Sequence, residues 1–290
     1  YIFSFNMRSF LKNIFIFSVF FIFVFILGSN DFQIFGNYTM LAYQKEAIMS
    51  KINEKKIVIA GGSNVAFGMN SKNLELEFEY PVINMGVHAQ LGFDFVSNQA
   101  LHHLKDQDII LMSLEFEMPL EGDYIVKHRL KSLPYVSLTF IEHIKSRIQM
   151  LKNNIIDFKD IIIGRKHLFK NALNANGDFI GHLSKKPRHY SNFNTLDYEF
   201  NYKSLLIAVN SLNNDLTKRN IKLLYIYPPL MRSTFNRNKL EIEKVINDFE
   251  KNANFIIPLN ILDCVFEDSL FYDSPYHLHD AGRELRLSLI

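Results

Sequence analysis

The chain has 290 residues, 48% of them hydrophobic, a formal net charge of +2 and a single cysteine, Cys264. A near-neutral balance excludes a dedicated nucleic-acid binder, which needs a concentrated basic face. One cysteine excludes an intrachain disulfide framework and a cysteine-rich metal site, while the apolar fraction is enough for a sizeable core in one large domain or two small ones.

The first element is an apolar run from Ile14 to Leu27, broken only by Ser18 and preceded by Arg8 and Lys12. With Phe10 and Leu11 included, and Lys12 free to snorkel, it approaches the roughly 17 residues that can just cross a bilayer. Basic residues before the run and Asp31 after it predict a cytoplasmic N-terminus and an exported remainder. The alternative is a cleaved secretory signal, whose apolar region is usually about 7–15 residues; Gly28-Ser29-Asn30 offers it no clean pair of small residues. Residues 1–30 are therefore expected to be an anchor or signal, 31–55 a polar helical connector, and 56–290 one α/β domain.

Beyond residue 55 short apolar strands alternate with helices. Lys56 to Ala60, ended by Gly61-Gly62, reads as a buried parallel strand, followed by Val82–Met85, Asp108–Met112, Ile221–Tyr227 and a weaker fifth, Asn254–Leu259. Helical patterns fall at Leu91–Leu104, Tyr202–Lys218 and Asn238–Lys251. This alternation predicts βαβ units and a parallel sheet covered on both faces, with the ligand site at the carboxyl ends of the strands. Met118 to Asn201 carries no strand pattern and reads as an insert, the kind of segment that serves as a lid or binding loop.

The residues after the strands carry the chemistry. Gly61-Gly62-Ser63-Asn64 permits a sharp turn that sets Ser63 at a segment start, where free N–H groups favour developing negative charge; a turn with a capping Ser or Asn is the plainer reading. No Gly-Lys-Ser/Thr follows, so it is not a phosphate loop, and Val65 two positions on excludes the GxSxG elbow. Gly86, after the second strand, places a backbone N–H toward the same crevice. Glu115 and Glu117, after the third, share a face if the segment is extended; solvated edge charge is their plainer reading. Near the C-terminus Asp273 and His277 supply a base and an acceptor to fix its tautomer, as an activated serine requires. A zinc site at His277 and His279 lacks a third ligand placed by spacing, and no cofactor is expected.

In this order the segments resemble the SGNH (GDSL-like) hydrolase superfamily, and look most like its membrane-anchored bacterial branch, related to proteins that acylate or deacylate cell-surface polymers. The resemblance runs from about Ile57 to the end on four short segments. It implies a flavodoxin-like five-stranded sheet, a nucleophile at Ser63, an oxyanion donor at the Gly86 backbone and a catalytic pair at Asp273 and His277. His277-Leu278-His279-Asp280-Ala281-Gly282 resembles the family's His-x-Asn-x-x-Gly helix entry, which favours His277 over His279 as the base. Three departures stand out. Gly62 replaces the Asp of the family's Gly-Asp-Ser block. Ser113-Leu114-Glu115 stands where Gly-x-Asn-Asp supplies a third oxyanion donor, so that donor is either missing or comes from elsewhere, with Asn64 a candidate. Asp273 precedes the histidine by four residues rather than three, with Ser274 in the usual place.

The resemblance implies a serine esterase or O-acyltransferase acting on an exported glycan or glycolipid, tethered to the membrane and served by a membrane acyl-donor protein. The alternative is a non-catalytic accessory subunit of a surface-polymer assembly complex. A phosphate-ligand binder on the glycine turn is a third reading, weakened by the lack of a gripping lysine. Within the insert, Tyr190, Phe193, Tyr198 and Phe200, with Tyr202 just beyond it, suit sugar faces, and Lys185, Lys186 and Arg188 suit an acidic polymer or anionic headgroups; packing of the insert's own core explains the same aromatics.

Overall fold

Val58 and Ala60 point to one side of their strand and Ile57 and Ile59 to the other, yet all are buried, so helices must cover both faces. The computed structural model describes residues 7–28, 38–123, 130–148, 172–187 and 202–290. Strands β1 (Ile57–Gly61), β2 (Val82–Asn84), β3 (Ile109–Ser113) and β4 (Lys222–Tyr225) form a parallel sheet in the order β2-β1-β3-β4. Val58, Ala60, Ile110, Met112, Leu223 and Tyr225 pack on α5 (Gly92–His103), α6 (Tyr202–Lys218) and α8 (Lys239–Asn252). Their alternates Ile57, Ile59 and Leu111 meet Val65 of α3 (Ser63–Gly68), Leu74 of α4 (Ser71–Phe78) and Leu287 of α9 (Asp280–Leu287).

The helix α6 spans the predicted range, and Leu205, Val209, Leu212 and Leu216 recur on one buried face at the three- and four-residue steps of an amphipathic helix. At the amino ends of the strands Lys56 and Asp108 form an ion pair of 2.8 Å with almost no exposure. Asp108 also accepts from Lys56 N at 3.0 Å and Lys105 N at 2.8 Å, so the carboxylate is well supplied with donors.

The expected fifth strand reduces to one parallel bridge, Leu224 to Ile256, with Tyr225 N–H donating to Ile256 O at 2.8 Å. Pro258 follows with no N–H to continue a ladder, and the sheet has four strands rather than five. Short strands β5 (Leu230–Met231) and β6 (Val265–Phe266) pair separately, joined in chain order to α7 (Arg232–Arg237).

Upstream, α1 (Met7–Gly28) is a helix of 22 residues on which Phe15, Phe17 and Phe20 stand exposed. Among the described residues no helix is long and apolar enough to cross a membrane. The stretch expected as a connector contains α2 (Tyr38–Met49), which buries Leu41, Ala42, Lys45 and Met49 and so packs as part of the domain.

Candidate active site

The strand order reverses at β1: the chain steps from β1 to β2 on one side and then to β3 on the other. Ligand crevices in such sheets open at this switch point, outside the strands' carboxyl ends. Ser63 follows β1, Glu115 follows β3, and the two side chains bridge the gap, Ser63 Oγ donating to Glu115 Oε1 at 3.1 Å. Asn64 N–H donates to the same oxygen at 2.8 Å. Glu115 is 1% exposed, and its Oε2 has no hydrogen-bond partner among the described residues. This explains Gly62. A Cβ there would lie 2.6 Å from Glu115 Oε1 and 2.8 Å from Ala89 N, so the carboxylate of the third block occupies the space a side chain at position 62 would need.

Asp273 and His277 sit on a loop closed by the Phe271–Leu278 bridge and by Tyr272 N–H donating to His277 O at 2.8 Å. The curl brings residues four apart together: His277 Nδ1 bonds Asp273 Oδ1 at 2.7 Å. Ser274, in the acid's usual place, instead accepts from Tyr276 N–H at 3.3 Å. The His277 ring stacks on Phe67 at 4.1 Å between centroids and 8° between planes. Phe67 is one helical turn from Ser63 and so shares its face of α3. The dyad and the serine therefore converge on one helix across more than two hundred residues of chain, but Ser63 hydrogen-bonds Glu115 and not His277. His279 is elsewhere engaged, its Nε2 bonded to Lys185 O at 3.1 Å, so of the two loop histidines it is His277 that faces α3.

The two expected oxyanion donors are already engaged. Gly86 N–H donates to Asn84 Oδ1 at 3.0 Å, and a Cβ at Gly86 would lie 2.6 Å from Val65 Cβ and 2.8 Å from Ala66 N: this glycine allows the loop after β2 to pack on α3. Asn64 is fully buried; its amide donates to Ser113 O at 3.0 Å and its Oδ1 accepts from Ser113 Oγ at 2.9 Å. Arg286 lies beneath, donating to Ser113 Oγ at 2.9 Å and Asn64 O at 3.2 Å; burial lowers it to about 10, so it remains a cation at neutral pH.

Glu117 and His88, which the sequence reading left without a role, join this cluster. Glu117 accepts from Tyr276 OH at 2.6 Å, and burial, opposed by that bond, raises its carboxyl to about 7. The carboxylate pair is thus split between the serine and the histidine loop. His88 stacks on Tyr38 at 4.6 Å and is lowered by burial, an effect opposed by Glu115 and reinforced by His277. The pattern Glu-Phe-Glu and the run ending in His88 were the available signals, but nothing local said which partner each would meet.

The described part of the insert packs against this region. His182 lies 4.8 Å from the Phe67 ring and 5.4 Å from Tyr272, donates from Nε2 to Leu278 O at 3.0 Å and is pushed down to about 3 by burial. Asp178 enters the core beside β2, accepting from Ser71 Oγ at 2.6 Å and Asn84 Nδ2 at 2.9 Å. Among its described residues the insert has no strand beyond the Leu173–Phe179 bridge, yet it covers the edge of the sheet: Asn176 O accepts from Asn84 N–H at 2.8 Å. Gly177 adopts φ +83° with Asn84 O 2.6 Å from where its Cβ would stand. Lys185 and Lys186 are exposed next to His279, while Arg188, Tyr190, Phe193, Tyr198 and Phe200 lie outside the described residues.

No family model matches the chain, and no curated protein or solved structure is similar to it at a significant level. Fold and site together define a parallel α/β protein with a serine, a His–Asp pair and a buried carboxylate gathered at the switch point of its sheet.

Proposed function

We propose that the chain is an SGNH-type serine esterase or O-acyltransferase, held at the membrane by its N-terminal helix with the α/β domain outside the cytoplasm, and acting on an exported glycan or glycolipid. The observation that carries the reading is the His277–Asp273 pair, bonded at 2.7 Å and stacked on Phe67 one turn of α3 from Ser63. With Nδ1 committed to Asp273, the Nε2 of His277 is the nitrogen left to act as base. Ser63 turns from Glu115 toward His277, gives up its proton to Nε2 and attacks the ester carbonyl. The Oγ–acyl bond forms, and the alcohol leaves with the proton returned by His277. Water or a sugar hydroxyl then resolves the acyl-enzyme, the first giving an esterase and the second a transferase. With Gly86 N–H held by Asn84, the backbone N–H of Ser63 at the start of α3 takes the role of oxyanion donor. The acyl group reaches the site from the substrate ester or from a membrane donor protein. The exposed apolar helix α1 and the basic residues Arg8 and Lys12 support the tether and its orientation.

A second reading rests on its own observation. Ser63 is tied to Glu115, and neither Gly86 N–H nor the Asn64 amide is free to hold an oxyanion, as in a relative that keeps the scaffold for binding within a surface-polymer complex. Labelling of membranes by a fluorophosphonate probe separates the two. The enzyme reading expects covalent labelling that is lost in Ser63→Ala and weakened in His277→Ala. Absence of labelling in the folded wild-type protein leaves the accessory role.

A further inference from the structure

In the last turn of α5, three chain segments meet around an imidazole–carboxylate cluster. Glu46 comes from α2, and His102 and His103 from the last turn of α5. Glu46 Oε1 contacts His103 Nε2 directly, and one ligating atom from each of Glu46, His102 and His103 lies within 4.8 Å of the others. The His102 and His103 rings stand 4.8 Å apart at 84° although the residues are adjacent. The second carboxylate oxygen of Glu46 is held by Tyr135 OH at 3.0 Å, the outer-shell hydrogen bond that commonly orients a ligating carboxylate. The Glu46 and His103 side chains are 16% and 14% exposed, whereas His102 is open to solvent. The cluster is therefore preorganised on its inner side and accessible on its outer side.

We propose that Glu46, His102 and His103 bind a divalent transition metal, with zinc the best fit, in a site independent of the serine chemistry. Two imidazoles and a carboxylate suit the borderline ions, zinc above all, and a fourth position remains for water. Ligand atoms about a tetrahedral zinc stand about 3.3 Å apart, so the widest separation, at most 4.8 Å, needs to close by up to about 1.5 Å, a movement within reach of the exposed His102 side chain. The bound ion takes the place of the direct Glu46–His103 contact, and it fastens α2 to α5. Because α2 follows the N-terminal helix, this clamp fixes the point at which the domain leaves its tether.

The test uses the full-length protein in detergent, without a histidine tag and stripped with chelator. After dialysis against Zn(II), one equivalent per chain should remain and the thermal midpoint should rise; Co(II) in its place should give visible bands of a nitrogen- and oxygen-ligated ion. His102→Ala should weaken zinc binding by at least about 100-fold and Tyr135→Phe by about 10-fold. Because His102 is exposed, its variant should keep the apo circular dichroism and midpoint. His143→Ala and Ser63→Ala should bind as the wild type does. Failure to retain zinc, or retention undiminished in His102→Ala, overturns the site whatever the outcome at Ser63.

Discussion

Asp178 and Glu115 are both buried carboxylates near α3, exposed by 0% and 1%, and they are satisfied very differently. Asp178 accepts from Ser71 N–H, Ser71 Oγ, Asn84 Nδ2 and Asn174 Nδ2 at 2.6–3.0 Å, with Arg283 at 3.8 Å. Lys45 completes the group through Asn84 Oδ1 at 3.2 Å and Gly86 O. Glu115 places Ser63 and Asn64 on one oxygen and leaves the other without a partner. A fully satisfied network rigidifies a fold; a partly satisfied one retains capacity for a ligand or a moving proton. The first cluster locks the insert to the sheet, and the second is where chemistry is expected.

The strongest break in this comparison should come from Ser63→Ala. Turnover of any ester the wild type cleaves is expected to fall by about 10⁴-fold or more, with the denaturation midpoint nearly unchanged. Retained turnover would move the chemistry to another residue. Asp178→Ala should do the reverse, costing about 3–5 kcal/mol because Lys45 and Arg283 lose their buried counter-charge. Urea unfolding measures it, and a loss under about 1 kcal/mol would mean that the network is dispensable. Gly62→Ala should cost about 1–3 kcal/mol by driving the Glu115 carboxylate from its place; an unchanged unfolding midpoint would show that Glu115 moves aside freely.

The smallest effect sharpens the contrast through pH. Glu117 titrates near 7 when folded against 4.5 ordinarily, so between those values the folded chain keeps a proton that the unfolded chain has released. Stability should fall as pH rises across that window, by about 1–2 kcal/mol for a half-buried group. Lys45, lowered by burial to about 7 from 10.5 against the pull of Asp178, acts in the opposite sense: the unfolded chain holds the extra proton, so stability should rise from pH 7 toward 10.5. Glu117→Gln should flatten the acidic limb of the profile alone, and an unaltered limb would assign it to another group.

Local pattern was sufficient for the alternation of strands and helices, because continuous apolar runs and three- and four-residue spacing follow from burial on two faces. It also placed Ser63 at a strand-to-helix turn and Asp273 beside His277, since both depend on residues close in sequence. Tertiary structure decided the rest. That Pro258 ends the fifth strand after one bridge depends on where Ile256 meets Leu224. That Gly86 and Asn64 are packed and hydrogen-bonded internally, and that Glu115 fills the space above Gly62 and takes the serine's hydroxyl, depends on strands separated by about fifty residues of chain. Glu46 and His103, apart in sequence and unremarkable by spacing, meet only because α2 lies on α5. A backbone turn is specified by its own residues, whereas the partner of a buried polar atom is specified by whichever element the packing brings against it.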